Sequence, residues 1–168
     1  MDNIKCFEEE KNIRLVFNWK DDFEQVYIFT NNAEPRMFTL QEYKKRGGCL
    51  LPKTPGVFTY SVRPFKRENG EDVLYDGASI THTCRITVNY SVKEKIARYK
   101  NFEITLNADH PVGREIIKYK LKAGGVEYDF AELIKASAQI TRVVRAKITD
   151  ELNLYINEKF ADLYILKG

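Results

Sequence analysis

Residues 81–93 read THTCRITVNYSVK and decide how this part of the chain folds. Apolar and polar side chains alternate along the whole stretch, and one parity holds His82, Cys84, Ile86, Val88, Tyr90 and Val92. A β-strand projects successive side chains to opposite faces, whereas a helix would scatter these residues around its circumference. The stretch therefore predicts a long β-strand with one face in a hydrophobic core.

The same two-residue period recurs nearer the N-terminus. It appears in two groups of residues: Ile13, Leu15, Phe17 and Trp19, and then Phe58, Tyr60 and Val62. Between them Val26-Tyr27-Ile28-Phe29 is a short β-branched and aromatic run that also suits a strand. Asn69-Gly70 and Asp76-Gly77 are predicted turns, because Asn, Asp and Gly tolerate the positive φ of tight hairpins. Residues 38–46 fit either a short helix or an irregular edge strand, and we favour the edge strand.

The second half of the chain shows the same pattern after a charged passage at residues 93–100. We interpret that passage as a linker or as the extended end of the long strand. Residues 117–130 predict a hairpin that turns at Gly124-Gly125, and residues 131–139 allow one short helix. Strand spacing of this kind predicts an all-β chain of two tandem antiparallel β-sandwich domains, at residues 1–92 and 93–168.

The first domain resembles fibronectin type III domains over about residues 10–92. Leu15-Val16-Phe17-Asn18-Trp19 matches the apolar-x-x-x-Trp element of that family's second strand. Its Leu-x-Pro-x-Thr-x-Tyr passage is similar to residues 50–54 followed by Tyr60. The resemblance implies a sandwich with Trp19 and Tyr60 in the core, in a family that serves mostly as spacers and binding modules. The second half resembles immunoglobulin-like sandwiches in a generic way.

Composition excludes several classes of function. A net charge of +3 is too small to predict nucleic-acid binding. The sequence contains no run of about 18 apolar residues and its N-terminus does not read as a signal peptide, so we expect a cytoplasmic protein without a transmembrane segment. Cys6, Cys49 and Cys84 fit neither a disulfide framework nor a paired zinc-ligand pattern.

Catalytic and metal-binding patterns are weak. A core position is favoured for His82, which shares the apolar parity with Cys84, and a loop position for His110. Residues 21–24 and 150–151 carry acidic groups, but these lack the ligand spacing of a calcium loop and are interpreted as turns. We expect no enzyme activity, no metal ion and no cofactor.

The remaining feature is a set of basic residues on two predicted strands. Lys118, Lys120 and Lys122 project from one strand face, and Arg145 and Lys147 from another. Neighbouring strands would make these residues a positive patch for an acidic protein or an anionic glycan. The alternative, which we favour, is a solvated sheet face where Glu127 and Asp129 oppose the lysines.

These observations favour a non-catalytic protein-interaction or scaffolding module that acts within a larger assembly. The alternative is a carbohydrate-binding module that uses exposed aromatic rings, with Tyr27, Phe65, Tyr75 and Tyr155 as candidates. An enzyme whose site is built from loops is a third possibility. A partner protein is the expected ligand, with a glycan as the alternative.

Overall fold

The computed structural model describes residues 1–31, 33–122 and 124–168. The chain divides into two compact units, Met1–Cys84 and Arg85–Gly168. The sequence placed the division after residue 92, because the alternation of residues 81–93 runs in phase through Arg85. In the structure that stretch supplies the last strand of the first unit and the first strand of the second.

The first unit contains eight strands and one α-helix. In chain order they are β1 (Asp2–Glu8), β2 (Asn12–Asn18), β3 (Gln25–Thr30), β4 (Ala33–Thr39), α1 (Leu40–Arg46), β5 (Cys49–Pro52), β6 (Gly56–Glu68), β7 (Glu71–Leu74) and β8 (Ala78–Cys84).

Two antiparallel sheets enclose the core of the first unit. One has the order β1-β2-β5, and the other has the order β4-β3-β6-β7, with β8 also paired to β6. Alternate residues of each strand point inward, as the sequence predicted, because apolar side chains are removed from water on that face alone. The buried side chains include Ile13, Leu15, Phe17, Val26, Ile28, Tyr60 and Val62.

Two glycines shape the chain around β7 and β8, which follow one another along β6. Asn69 and Gly70 have φ of 52° and 87° and form the predicted turn between β6 and β7. Gly77 passes so close to β6 that a Cβ there would lie 1.7 Å from the carbonyl oxygen of Val62. The turn predicted at Asn69-Gly70 is therefore present, whereas the one predicted at Asp76-Gly77 is not, because β7 and β8 both run antiparallel to β6 and the chain continues between them. Glycine is required at position 77 for close backbone approach instead.

The helix α1 corrects the sequence interpretation of residues 38–46. Thr39 caps it, and the side chain of Glu42 returns to the Thr39 backbone, which makes a complete capping box. Tyr43 links α1 to β2, because its hydroxyl donates a hydrogen bond to the Phe17 carbonyl oxygen at 2.6 Å. The helix that residues 131–139 allowed is absent: Ala131 and Ser137 have φ of 59° and 57°, which a right-handed helix excludes.

The second unit is also a two-sheet sandwich. Its elements are β9 (Ile86–Ile96), β10 (Lys100–Ala108), β11 (Ile117–Leu121), β12 (Glu127–Asp129), β13 (Ala138–Ala146), β14 (Leu152–Ile156), a 3₁₀ turn (Glu158–Phe160) and β15 (Tyr164–Lys167). The sheets have the orders β13-β10-β9-β15 and β12-β11-β14. The hairpin predicted at residues 117–130 is present as β11 and β12. Fully buried side chains include Val88, Phe102, Ile104, Leu106, Phe130 and Ile134.

The two units share one pairing order, although their sequences do not align as a repeat. In each unit the second strand pairs with the first and fifth, and the third strand pairs with the fourth and sixth. The last strands of the two units pair differently: β7 and β8 lie antiparallel to β6, whereas β15 lies parallel to β9. No helix in the described part of the chain is long and apolar enough to cross a membrane.

Candidate functional site

Lys118 and Lys120 lie on the outer face of β11, Lys122 follows directly after this strand, and acidic groups lie beside all three. The Lys118 ammonium lies 3.7 Å from a Glu127 oxygen and 3.8 Å from an Asp129 oxygen. Lys120 faces Glu127 in the ladder with β12, and the Lys122 ammonium lies 3.0 Å from Glu151. The positive charge of this face is therefore balanced locally, as the favoured alternative predicted.

Arg145 and Lys147 do not join these lysines. Arg145 lies on β13, which pairs with β10, whereas β11 pairs with β12 and β14 in the other sheet. Lys147 follows β13 in a turn, where its backbone amide donates to the Asp150 carboxylate at 2.8 Å. Lys118 and Lys120 are thus in one sheet and Arg145 in the other, because strand adjacency depends on pairing that a local pattern does not contain.

Arg145 instead stacks on Tyr99, in the turn between β9 and β10. Its guanidinium carbon lies 3.5 Å from the centroid of the Tyr99 ring, and that of Arg98 lies 5.8 Å from the same ring. Lys93 and Lys95 point outward from the same end of β9, and all five side chains are exposed. We call this group the cationic corner: Lys93, Lys95, Arg98, Tyr99 and Arg145.

Pairing across three strands assembles the cationic corner. Lys95 on β9 faces Asn101 on β10, which faces Arg145 on β13. The strands of a sheet lie about 4.8 Å apart, so the backbones of Lys95 and Arg145 are separated by roughly 10 Å. Sequence reasoning missed Lys93, Lys95 and Arg98 because it treated residues 93–100 as a charged passage. The outward parity of residues 81–93 continues to Lys95 and was the available signal.

One carboxylate lies within this face. The Lys95 ammonium donates to Glu103 at 2.8 Å, and this hydrogen bond, with the charge of Lys95, lowers the pKa of Glu103. Lys93, Arg98 and Arg145 form no ion pair among the residues that the structure describes. The cationic corner therefore keeps an uncompensated positive charge.

The first unit carries a groove across the outer face of its larger sheet. The groove has a volume of about 450 Å³ and is lined from β4 to β7 by Tyr27, Phe29, Glu34, Pro35, Asp72 and Leu74. We call it the aromatic groove.

Tyr27 is held firmly within the aromatic groove. Its ring stacks on Phe65 with centroids 4.4 Å apart, and its hydroxyl donates to Asp72 at 3.0 Å. The hydrogen bond to Asp72 raises the pKa of Tyr27, since the carboxylate would oppose a phenolate. The ring of Phe29 lies 6.2 Å away, tilted by 56°.

The other aromatic candidates occupy different positions. Phe65 is buried beneath Tyr27 and Leu74, with 5% of its surface exposed. Tyr75 packs edge-on against Phe23 and donates to Glu68 at 2.9 Å. Tyr155 is half-buried, and burial followed by the nearby Glu127 carboxylate raises its pKa to about 12. Tyr27 is the candidate that lines a groove.

The histidine and cysteine candidates take structural positions. The imidazole of His82 lies 2.8 Å from Glu8 at the edge of the first sandwich, half-buried rather than in the core that the sequence predicted. Burial, followed by neighbouring charges, raises the pKa of Cys6 to about 11 and that of Cys49 to about 12. These thiols are protonated at neutral pH and are weak nucleophiles. His110 lies in the loop after β10.

No protein-family model, no curated protein and no solved structure matches the chain. Within the described residues, no group of three or more His, Cys, Asp or Glu side chains is arranged to hold a metal ion. The aromatic groove and the cationic corner are therefore the candidate binding surfaces.

Proposed function

We propose that this chain is a non-catalytic protein-interaction module that acts as a scaffold within a larger assembly. The first unit binds its partner through the aromatic groove. The observation that carries the proposal is the arrangement of Tyr27 and Phe29 beside two carboxylates, Glu34 and Asp72, on an exposed sheet face. Neither carboxylate forms an ion pair among the described residues.

The composition of this face supports a protein partner. Met37, with 49% of its surface exposed, faces Tyr27 across the β3–β4 ladder, and Leu74 adds further exposed apolar surface. Aromatic residues and Met are enriched at protein interfaces, and contiguous exposed apolar surface marks interaction sites. Tyr27 is already immobilised by Phe65 and Asp72, which lowers the conformational entropy that binding must overcome.

The chemistry of the groove favours a cationic side chain of that partner. Ring faces attract ammonium and guanidinium groups, and carboxylates bind them with charge-assisted hydrogen bonds. Two cations of β6 lie nearby: Arg63 donates to the Tyr75 carbonyl and Arg67 to the Gly70 carbonyl, each at 3.4 Å, and Arg67 also faces Asp72 in the ladder between β6 and β7. An arginine or lysine in an extended partner segment would therefore meet two carboxylates and two ring faces.

The fold of the two units also supports a binding function. We infer that the first unit is a fibronectin type III-like sandwich and the second an immunoglobulin-like one. Support comes from the shared pairing order of the strands and from Trp19, which stacks beside Phe17 and donates to the Phe23 carbonyl at 2.7 Å. Such sandwiches mostly act as spacers and binding modules, although fold alone does not determine function.

Carbohydrate binding is the competing function, because it would use the same rings of Tyr27 and Phe29. Sugar-binding aromatics present flat faces along a common platform. The rings here are tilted by 56°, and Tyr27 also has a stacking partner in Phe65. Tilted walls suit a compact cation better than consecutive sugar rings.

The experiment compares a peptide probe with glycans on the full chain. The probe is a five-residue peptide with a central arginine, and its control carries the neutral isostere citrulline. We expect the arginine peptide to bind, and Asp72→Asn or Glu34→Gln to weaken binding about fivefold or more. Glu71→Gln, an exposed β7 residue outside the groove, should have no effect. Equal binding of the two peptides contradicts the proposal, and glycan-array hits that depend on Tyr27 support carbohydrate binding instead.

A further inference from the structure

We infer that the second unit carries a separate binding site, the cationic corner, for a short acidic segment of another protein. This inference goes beyond the proposed function, because it concerns a different unit and a ligand of opposite charge. Its basis is the placement of Arg98 and Arg145 over the exposed ring of Tyr99, with Lys93 on the outward face of the same sheet.

The stacked arginine is the central group of the site. Arg145 lies flat on Tyr99, so its planar guanidinium is positioned before any ligand arrives. A guanidinium offers parallel N–H donors that match the two oxygens of a carboxylate. The side chain of Arg145 is exposed, so its N–H groups can receive the carboxylate of an Asp or Glu side chain.

The acidic groups nearby do not neutralise the site. Glu103 is hydrogen-bonded to Lys95, and Glu94 lies 3.1 Å from the ammonium of the buried Lys100. With Lys95 matched to Glu103, the charges of Lys93, Arg98 and Arg145 remain for a ligand. Their separation across three strands fits a segment of several residues better than a single small anion.

An apolar neighbour distinguishes a protein segment from other polyanions. Val143 lies two residues before Arg145 on the same outward face of β13, with 61% of its surface exposed. Aliphatic side chains can pack against apolar residues of a peptide but gain little from phosphate or sulfate groups. Glu103, in the middle of the face, would repel the continuous phosphate track of a nucleic acid, whose binding requires many cationic contacts.

The matching ligand is therefore a short acidic segment that also carries an apolar residue. Its carboxylates would meet Arg145, Arg98 and Lys93, and the apolar side chain would meet Val143. Because the sheet face is exposed and its strands are fully paired from Lys100 to Ala108, no rearrangement of β10 is needed for docking.

The test measures binding of three probes to the full chain by isothermal titration calorimetry at low and physiological salt. The probes are the peptide Glu-Leu-Asp-Leu-Glu, its Gln-Leu-Asn-Leu-Gln isostere and a single-stranded oligonucleotide. We expect the acidic peptide alone to bind, and to bind more weakly as salt is raised. Tighter binding of the oligonucleotide, or equal binding of the isostere, overturns the inference.

Three variants and a matched control locate the site. Arg98→Gln and Lys93→Gln each remove one charge from an exposed side chain without an ion pair, so the fold is retained. Arg145→Lys keeps the charge but loses the planar fork, and we expect each variant to weaken binding about threefold or more. Lys120→Gln removes the same charge from β11 and should leave binding unchanged. If Lys120→Gln weakens binding as much as Arg98→Gln, the peptide responds to net charge and the site is not the cationic corner.

These outcomes are separable from those of the aromatic groove. Asp72→Asn should leave acidic-peptide binding intact, and Arg98→Gln should leave arginine-peptide binding intact. Loss of one activity with retention of the other assigns the failure to one surface.

Discussion

Glu8 on β1 contacts both Lys53 and His82 at the edge of the first sandwich, and its contact with His82 on β8 joins strands that belong to opposite sheets. One carboxylate oxygen lies 2.8 Å from the His82 Nε2, and the other lies 2.7 Å from the Lys53 ammonium. Partial burial opposes ionisation of Glu8, but the hydrogen bonds with Lys53 and His82 outweigh it, so the pKa of Glu8 is lowered. The carboxylate thus ties the edges of the two sheets together.

Acid should therefore weaken the first unit through Glu8. A lowered pKa in the folded state means that the stabilisation is present above the pKa of the unfolded chain, about 4.3, and is lost as pH falls through the folded value. We expect Glu8→Gln to cost about 0.5–1 kcal/mol near pH 6 and less as the pH falls below about 4.3. Urea unfolding followed by the fluorescence of Trp19, the single tryptophan, reports on this unit.

Glu10→Gln is the matched control, because Glu10 takes part in no ion pair among the described residues. Its effect should be small at both values of pH. A cost for Glu8→Gln that stays constant from pH 6 to pH 3 would show that Glu8 acts through packing rather than charge.

Gly77→Ala should be one of the most destabilising substitutions in the first unit. The new Cβ would lie 1.7 Å from the Val62 carbonyl oxygen, and that atom belongs to a backbone that cannot rotate away. Separating β8 from β6 breaks ladder hydrogen bonds, so we expect a loss of about 3 kcal/mol or more. Gly124→Ala, whose Cβ would meet one atom at 4.0 Å, is the control and should be nearly neutral in thermal unfolding.

Side-chain alternation predicted which face of most strands is buried, but it did not predict which strands pair with one another. Residues 81–93 were correctly divided into a buried and an exposed set, yet the pattern stays in phase across Arg85 and gives no sign of the division there. Alternation likewise put Lys118, Lys120 and Lys122 on one face. It could not place Arg145 beside Tyr99, because that contact depends on the registers of β9, β10 and β13.

Local sequence signals do indicate the helix α1. Thr39 and Glu42 stand three residues apart, which is the spacing of a capping box, and Gly47 follows at the C-terminal end with φ of 66°. The aromatic groove, by contrast, combines residues from β3, β4 and β7, and nothing in their local sequence indicates that Glu34 and Asp72 share a surface.

The cap of α1 should contribute measurably to the first unit. Thr39→Ala removes the side chain that accepts from the Glu42 amide, and such caps contribute about 1 kcal/mol. Loosening α1 also affects Tyr43, which packs on Phe17 and Trp19. We therefore expect a lower urea midpoint together with a shift in Trp19 emission. Thr39→Ser, which keeps the hydroxyl, should restore most of the lost stability, and failure to do so contradicts the capping role.

Thiol reactivity should report on the folding of the first unit. The pKa of Cys49 is raised to about 12 and that of Cys6 to about 11, with burial as the largest cause in each; burial also raises the pKa of Cys84. Thiolate is the reactive form, so labelling by Ellman's reagent at pH 8 should be roughly a hundredfold slower in the native protein than in urea. Cys6, which is half-buried, should react before Cys49 and Cys84. Rapid native labelling of Cys49 at a rate unaffected by urea would show that its side chain is accessible and ionised, contrary to its place in the core.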